Sequence, residues 1–179
     1  MTIQQINITN LYGNAYQWQL NPNVNILVGA NGTYKSTILN LIQYVNENTD
    51  VNWLRMTYNS PKLEVKLTKN QNISSFFTTN IDRLENENLE FIKKIIPTYN
   101  KFYQSSQGEK SLIEILAIKS NLIFLDNPEN NLHVGWQRNL IKWIGELNPS
   151  GQIIMTSHSP CIMADWEEHI TQVEDIKVN

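Results

Sequence analysis

The sequence predicts an α/β fold, with a mainly parallel sheet flanked by helices and an antiparallel β portion at the N-terminus. Short apolar runs at Val24 to Val28, Leu122 to Leu125 and Ile153 to Met155 read as strands buried on both faces. Between them lie segments whose apolar residues recur at three- and four-residue steps, the spacing of helices. Each run also ends in polar, chemistry-bearing residues: a Gly-containing turn with Lys35-Ser36-Thr37, then Asp126, then Ser157-His158. Such groups belong at the carboxyl ends of the strands of an α/β sheet, where ligands sit.

The elements follow in order. Ile3, Ile6, Ile8 and Leu11 mix period-two spacing with polar partners and predict a half-exposed first strand, turned at Tyr12-Gly13-Asn14. Tyr16, Trp18 and Leu20 alternate with Gln17 and Gln19, a second strand hairpinned to the first and closed by Asn21-Pro22-Asn23. Ile38, Leu39, Leu41, Ile42 and Val45 predict a helix from Ser36 to Val45, with Asn46 to Asp50 as the loop after it. Leu63 to Leu67 alternates strictly and reads as a strand, and Ile81 to Ile96 reads as helical up to Pro97. Thr98 to Gln107 is a polar linker. Ser111 to Ile118 predicts a helix buried on most sides, and Leu132 to Leu147 a single amphipathic helix. Pro149-Ser150-Gly151 turns the chain into a strand at Gln152 to Thr156. A short helix around Ala164 to Glu168 and a last strand near Val173 to Val178 complete the reading.

At 179 residues the chain is expected to be one domain, 1–179, long enough to bury a proper core. A hydrophobic content of 41% argues against disorder. No window approaches about 18 consecutive apolar residues, and Met1 to Gln5 lacks the build of a signal peptide, so a cytoplasmic chain without a membrane partner is expected. Cys161 is the only cysteine, which excludes an internal disulfide and a Cys-based metal site, and it reads as a small buried side chain. The net charge of −3 provides no global attraction to nucleic acid, leaving only a local basic face for that purpose.

Gly29-Ala30-Asn31-Gly32-Thr33-Tyr34-Lys35-Ser36-Thr37 has the build of a phosphate-binding loop. A strand delivers a turn whose backbone N–H groups converge on phosphate oxygens, with a helix N-terminus behind them. Lys35 would reach the β- and γ-phosphates and Ser36 would hold Mg²⁺. The pattern G-x-x-x-x-G-K-[ST] wants Gly where Tyr34 stands, and a Cβ there is expected to limit positive φ and crowd the phosphate. A strand-turn-helix that merely contains Gly and Lys would look similar. Three later stretches in fixed order argue otherwise: Gln104 to Lys110 before an apolar helix, Leu122 to Glu129, and Ile153 to Pro160.

Together these motifs make the chain resemble an ATP-binding-cassette ATPase of the small RecF-type and SMC-type head group. Phe124-Leu125-Asp126-Asn127-Pro128-Glu129-Asn130-Asn131-Leu132-His133 is similar to that group's Walker B run D-E-P-E-N-x-L-H, and less like the D-E-P-T-S of transporter cassettes. Ser106-Gln107-Gly108-Glu109 resembles the signature S-G-G-Q/E, and His158 stands where the group keeps its switch histidine. The resemblance implies ATP and Mg²⁺ as ligands, with Asp126 and Ser36 at the metal and Gln71 as the candidate for the glutamine that senses it. It makes Tyr12 or Tyr16 a candidate contact to the adenine, the alternative being that both are core aromatics of the sheet, and it implies that Ser106 and Gly108 close on a partner's γ-phosphate in a homodimer or a pair of related heads. Members that hydrolyse ATP carry Glu after the Walker B Asp. Here that position is Asn127, whose amide cannot accept the proton a carboxylate would, while His158 would help hold the γ-phosphate and Glu129 is a candidate surrogate. The resemblance thus implies a slow or regulatory ATP switch serving a separate effector, as in DNA repair, chromosome maintenance or phage defence. The alternative is a pseudo-ATPase adaptor used for protein contact; a transporter subunit fits less well.

Overall fold

A computed structural model describes residues 2–47, 63–67 and 89–178. Gln71, residues 48–50 of the loop expected at Asn46 to Asp50 and the first half of the helix expected at 81–96 lie outside the described residues, while Asn46 and Glu47, expected in that loop, belong to the preceding helix.

The chain opens with β1 (Ile3–Leu11) and β2 (Asn14–Gln19), paired antiparallel. The turn between them has φ of 51° at Tyr12 and 84° at Gly13. Positive φ at both central residues is what a two-residue hairpin turn requires if its twist is to match that of the strands. β4 (Leu63–Leu67) pairs with the other edge of β1, and β8 (Lys177–Val178) with β2, giving the antiparallel order β4-β1-β2-β8. The second sheet is parallel in every described pairing. Its order is β5-β6-β3-β7, from β3 (Val24–Val28), β5 (Leu122–Asp126), β6 (Gln152–Thr156) and β7 (Ile170–Gln172).

The period of two along the central strands sorts their side chains between two cores. Leu27, Leu122, Phe124 and Ile154 pack with α1 (Lys35–Glu47) through Ile38, Leu39, Leu41 and Ile42, and with Ile3, Ile6, Ile8, Tyr16 and Trp18 of the hairpin. Val24, Ile26, Ile123, Ile153 and Met155 face the opposite way. They meet α2 (Leu89–Ile95), α3 (Gln107–Leu116) and α5 (Leu140–Leu147) through Ile92, Leu112, Ile113, Leu116, Leu140, Ile141 and Ile144. Two polar residues on buried strands are satisfied by hydrogen bonds across this arrangement. Gln152 accepts from the Ile3 N–H at 2.8 Å and donates to the Ile3 and Asn21 carbonyls at 2.9 and 2.6 Å, joining the parallel sheet to the hairpin. Asn25 exchanges bonds with the Asn21 backbone at 2.7 and 2.9 Å, which fixes the turn into β3.

The segment read as one helix from Leu132 to Leu147 is two: α4 (Val134–Gln137) and α5. His133 starts α4 by accepting the Gly135 N–H on Nδ1 at 3.2 Å, so Leu132 stays outside. At the far end Asn139 Nδ2 donates to the Gly135 carbonyl at 3.2 Å while the Asn139 N–H bonds back only three residues, to Trp136. A side chain that competes for backbone carbonyls in this way closes a helix in a tight turn. The apolar stripe continues across the break because both pieces dock on the same core.

The C-terminal segment also departs from its reading. An α-helix lies earlier than expected, at α6 (Pro160–Met163), because Ser159 accepts the Cys161 and Ile162 N–H groups and Pro160 occupies the first turn, and only a single 3₁₀ turn at Glu167–His169 overlaps the expected span. Val173 to Val178 is not one strand. β7 ends at Gln172, Val173 and Ile176 are buried in the turn that follows, and the chain crosses to the antiparallel sheet as β8. Cys161, expected to be buried, is partly exposed. Among the described residues no helix is long and apolar enough to cross a membrane.

Candidate functional site

The carboxyl ends of β3, β5 and β6 meet where α1 begins. β3 is buried throughout and delivers Gly29, where an added Cβ would stand 2.9 Å from Thr33 Oγ1. Thr33 Oγ1 donates to the Ala30 carbonyl at 2.8 Å, closing the loop on itself. Lys35 is 6% exposed, and its ammonium donates to the Gly29 and Ala30 carbonyls at 3.1 and 2.9 Å. An ammonium has three N–H donors, so two brace the loop and one is left for an anion. Asn31, Gly32, Tyr34, Lys35, Ser36, Thr37, Asn127 and His158 line an open cavity of about 440 Å³.

Tyr34 adopts φ of 66° despite its Cβ, contrary to the expectation from sequence. A left-handed conformation costs a non-glycine residue roughly 1–2 kcal/mol. Its ring stacks on Tyr12, with centroids 5.0 Å apart and planes 26° from parallel. Contacts of this kind are worth about 0.5–1.5 kcal/mol, so the stack offsets much of the strain. Tyr16, the other tyrosine considered for a base contact, is 4% exposed in the core. Its pKa is raised by burial first, then by Tyr34 and Glu174.

Asp126 leaves the end of β5 and gathers hydrogen bonds. Its Oδ1 accepts from Ser36 Oγ at 2.8 Å, from Thr156 Oγ1 at 2.5 Å and from Asn127 Nδ2 at 3.0 Å. A hydroxyl and a carboxylate in contact at a strand end, beside a phosphate-type loop, are hard oxygen donors and suit Mg²⁺. Among the described residues no cluster of three or more His, Cys, Asp or Glu could hold a metal alone.

Asn127 sits at φ of 46°, a conformation asparagine accepts more readily than most residues. Its N–H donates to Thr156 Oγ1 at 3.0 Å, and its side-chain Oδ1 is buried with no hydrogen-bond partner. Glu129 Oε1 accepts the His158 N–H at 2.6 Å, so this carboxylate holds the backbone of the loop that carries the histidine. Glu129 Oε2 is also buried and unpartnered. His158 lines the cavity. Thr156 and the link from Glu129 to His158 were missed in the sequence; the threonine's place at the end of an apolar strand, facing Asp126 in register, was the available signal.

Ser106 and Gly108 do not line the cavity that Lys35 lines. Ser106 caps α3: its hydroxyl accepts from the Glu109 N–H at 3.4 Å, and its own N–H donates to Glu109 Oε2 at 2.7 Å. The S-x-x-E spacing is thereby explained as a reciprocal cap, a signal legible in the sequence. Gly108 has its own steric reason, since a Cβ there would stand 2.7 Å from the Asn131 carbonyl oxygen.

The family model described as "AAA domain, putative AbiEii toxin, Type IV TA system" matches residues 98–164, the stretch from the linker before Ser106 to just beyond His158. No curated protein matches the chain. Among solved structures, the SMC head domain from Thermotoga maritima is similar, at 16% identity over 92% of each chain and a TM-score of 0.62. An SMC head bound to the C-winged helix domain of ScpA is similar at 12% identity over 92% of each chain, with a TM-score of 0.64. A nucleotide-free ATP-binding cassette from an ABC transporter matches at 17% identity, covering 96% of this chain and 87% of its own, with a TM-score of 0.59. The chain has the fold of the ABC- and SMC-type P-loop ATPases.

Proposed function

We propose that residues 1–179 form one ATPase domain that binds Mg²⁺-ATP at the Gly29–Thr37 loop and turns it over slowly. The observation that carries this is the contact of Ser36 Oγ with Asp126 Oδ1, 2.8 Å, beside the buried ammonium of Lys35. The loop amides, the α1 N-terminus and the remaining Lys35 N–H would bind the phosphates; Ser36 and Asp126 would hold the metal. Bound Mg²⁺ would draw charge from the phosphate oxygens. His158 would donate to the terminal phosphate, its loop held by Glu129. Asn127 occupies the place of the general base and lacks the acceptor a base needs, hence the slow turnover.

The wider role we propose is a regulatory ATP switch: two heads joined through ATP, acting on a separate effector protein in the cytoplasm. The fold's occurrence in an SMC head bound to a winged-helix domain supports an effector of that separate kind. Tyr34 and Asn127 together favour a second reading, an adaptor that keeps the fold without using nucleotide. Calorimetric titration with Mg²⁺-ATP decides between them. The wild type is expected to bind, and Lys35→Ala to bind roughly ten- to a hundredfold more weakly, the worth of a charge-assisted hydrogen bond. No heat from the wild type would favour the adaptor, and equal binding by both proteins would remove Lys35 from the phosphate contacts. A melting curve of the unliganded variant controls for the two loop carbonyls that Lys35 braces.

A further inference from the structure

At the end of the parallel sheet opposite the phosphate-type loop, β3 and β6 begin beside a second cavity, of about 360 Å³. Val24 and Ile153, partners across the two strands, line it from the sheet; Ile141, Lys142 and Gly145 line it from α5, and Trp166 and His169 from the segment before β7. Gly145 lies inside an eight-residue helix, where only proline is a poorer choice. A Cβ built on it would meet nothing within 4 Å, so packing does not call for a glycine, and any side chain there would enter open space. His169 Nδ1–H donates at 3.1 Å to the Val24 carbonyl, an atom that can only accept, which ties the ring to the sheet with its centroid 5.5 Å from that of Trp166. None of the lining side chains is acidic; Glu146 and Glu168 are chain neighbours of two of them but do not line the cavity. Lys142 is exposed and forms no hydrogen bond or ion pair among the described residues. The carbonyls that end α5 would repel an anion, but they are engaged: Leu147 accepts from Lys119 Nζ at 3.0 Å, Ile144 from Asn148 Nδ2 at 3.1 Å and Gly145 from the Asn148 N–H at 3.3 Å.

We infer that this cavity is a binding site for a small aromatic carboxylate. Its apolar lining and the Trp166 and His169 rings suit an aromatic ring, which gains from offset or edge contacts as well as from burial. Lys142 supplies the ammonium that a carboxylate would meet, and with no acidic side chain in the lining an aromatic cation would find only repulsion. The volume lies near the lower limit for small-molecule sites, about 300 Å³, which suits one ring or two fused rings. Gly145 is then explained by the ligand: it gives up helix propensity to keep the space open. Binding there needs neither the Gly29–Thr37 loop nor nucleotide, so the site exists whether or not the proposed function holds.

The experiment is an NMR titration of the isotopically labelled full chain with naphthoate, its neutral isostere naphthamide, and acetate. With naphthoate the wild type should show saturable shifts at the Gly145 and Gly151 amides and at the Trp166 indole N–H. Naphthamide should bind at the same place roughly two- to fivefold more weakly, the worth of an exposed ion pair, and acetate should not bind. Lys142→Gln should bind naphthoate and naphthamide alike. Gly145→Leu puts a good helix former into the open space, so it should melt no earlier than the wild type and bind naphthoate at least about tenfold more weakly. If leucine disturbs the fold, Gly145→Ala answers the same question: its melting midpoint should rise, because alanine suits a helix better, and naphthoate should still bind more weakly. Shifts that do not saturate, or that centre away from these residues, overturn the site. So does a folded Gly145→Leu or Gly145→Ala variant that binds naphthoate as tightly as the wild type. Equal binding of naphthoate and naphthamide by the wild type overturns the carboxylate, and acetate shifting the same signals overturns the aromatic ring.

Discussion

In the proposed function, Asn127 is the residue on which turnover would depend. Its Nδ2 steadies Asp126 Oδ1 at 3.0 Å, its N–H is held by Thr156, and its backbone occupies a left-handed conformation that asparagine tolerates. Each of these is a structural task, and none supplies proton-accepting capacity. Asn127→Glu is expected to raise the ATP turnover rate by about 10²-fold or more, the lower end of what a general base supplies. Phosphate release measures it, and a variant no faster than the wild type would return the rate limit to another group. ATP affinity should change little, because the phosphates are bound by other residues. The variant should melt earlier by the equivalent of about 1 kcal/mol, since an amide donor to Asp126 is replaced by a second carboxylate. The departure of Asn127 from the usual glutamate was plain in the sequence. Its buried, unpartnered Oδ1 and the hold of Glu129 on the His158 loop were not, because both arise from residues brought together by the pairing of β5 with β6.

At the scale of elements, the parallel strands were legible because burial on both faces leaves an apolar run that stops abruptly in polar residues. Val24–Val28, Leu122–Asp126 and Gln152–Thr156 all end this way. The break between α4 and α5 was hidden because the apolar stripe runs on through it; the cause is local hydrogen bonding by His133 and Asn139, which periodicity does not register. The crossing at Val173 to Ile176 was hidden for a related reason: buried apolar residues in a turn mimic a strand. The signature helix shows a third case, in which a motif has a structural explanation beside its functional one. Gly108 lets α3 approach the loop after β5, where a Cβ would meet the Asn131 oxygen at 2.7 Å, and Asn131 itself holds φ of 65°. Gly108→Ala is therefore expected to destabilise the fold by about 1–3 kcal/mol, the usual cost of overpacking against a backbone that cannot retreat. Chemical denaturation measures this, and an unchanged midpoint would show that the helix or the loop shifts freely.

At the scale of the whole molecule, the N-terminal ends of α1 and α3 lie in different places. α1 begins at Lys35 and faces the cavity, whereas α3 begins at Gln107 behind the Ser106 cap, and neither Ser106 nor Gly108 lines that cavity. In the proposed function, the end of α3, with its positive dipole, would face an anion held by another molecule. A second head carrying ATP on its own loop would supply that anion. If turnover at Asn127 is slow, as proposed, ATP bound between two heads and seldom cleaved would keep them together. Ligand held only by the closed form stabilises it by RT ln(1 + [L]/Kd), about 2.7 kcal/mol at a hundredfold excess over Kd. Sedimentation should accordingly show a monomer without nucleotide and a dimer with Mg²⁺-ATP that persists for longer than the Asn127→Glu dimer. Ser106→Arg, which places a bulky side chain at the start of α3, should leave ATP binding by the monomer intact and abolish the dimer. A chain that stays monomeric with ATP, or a dimer indifferent to both ATP and Ser106→Arg, would reduce Ser106 to its capping role and leave the switch to be sought in contacts with the effector.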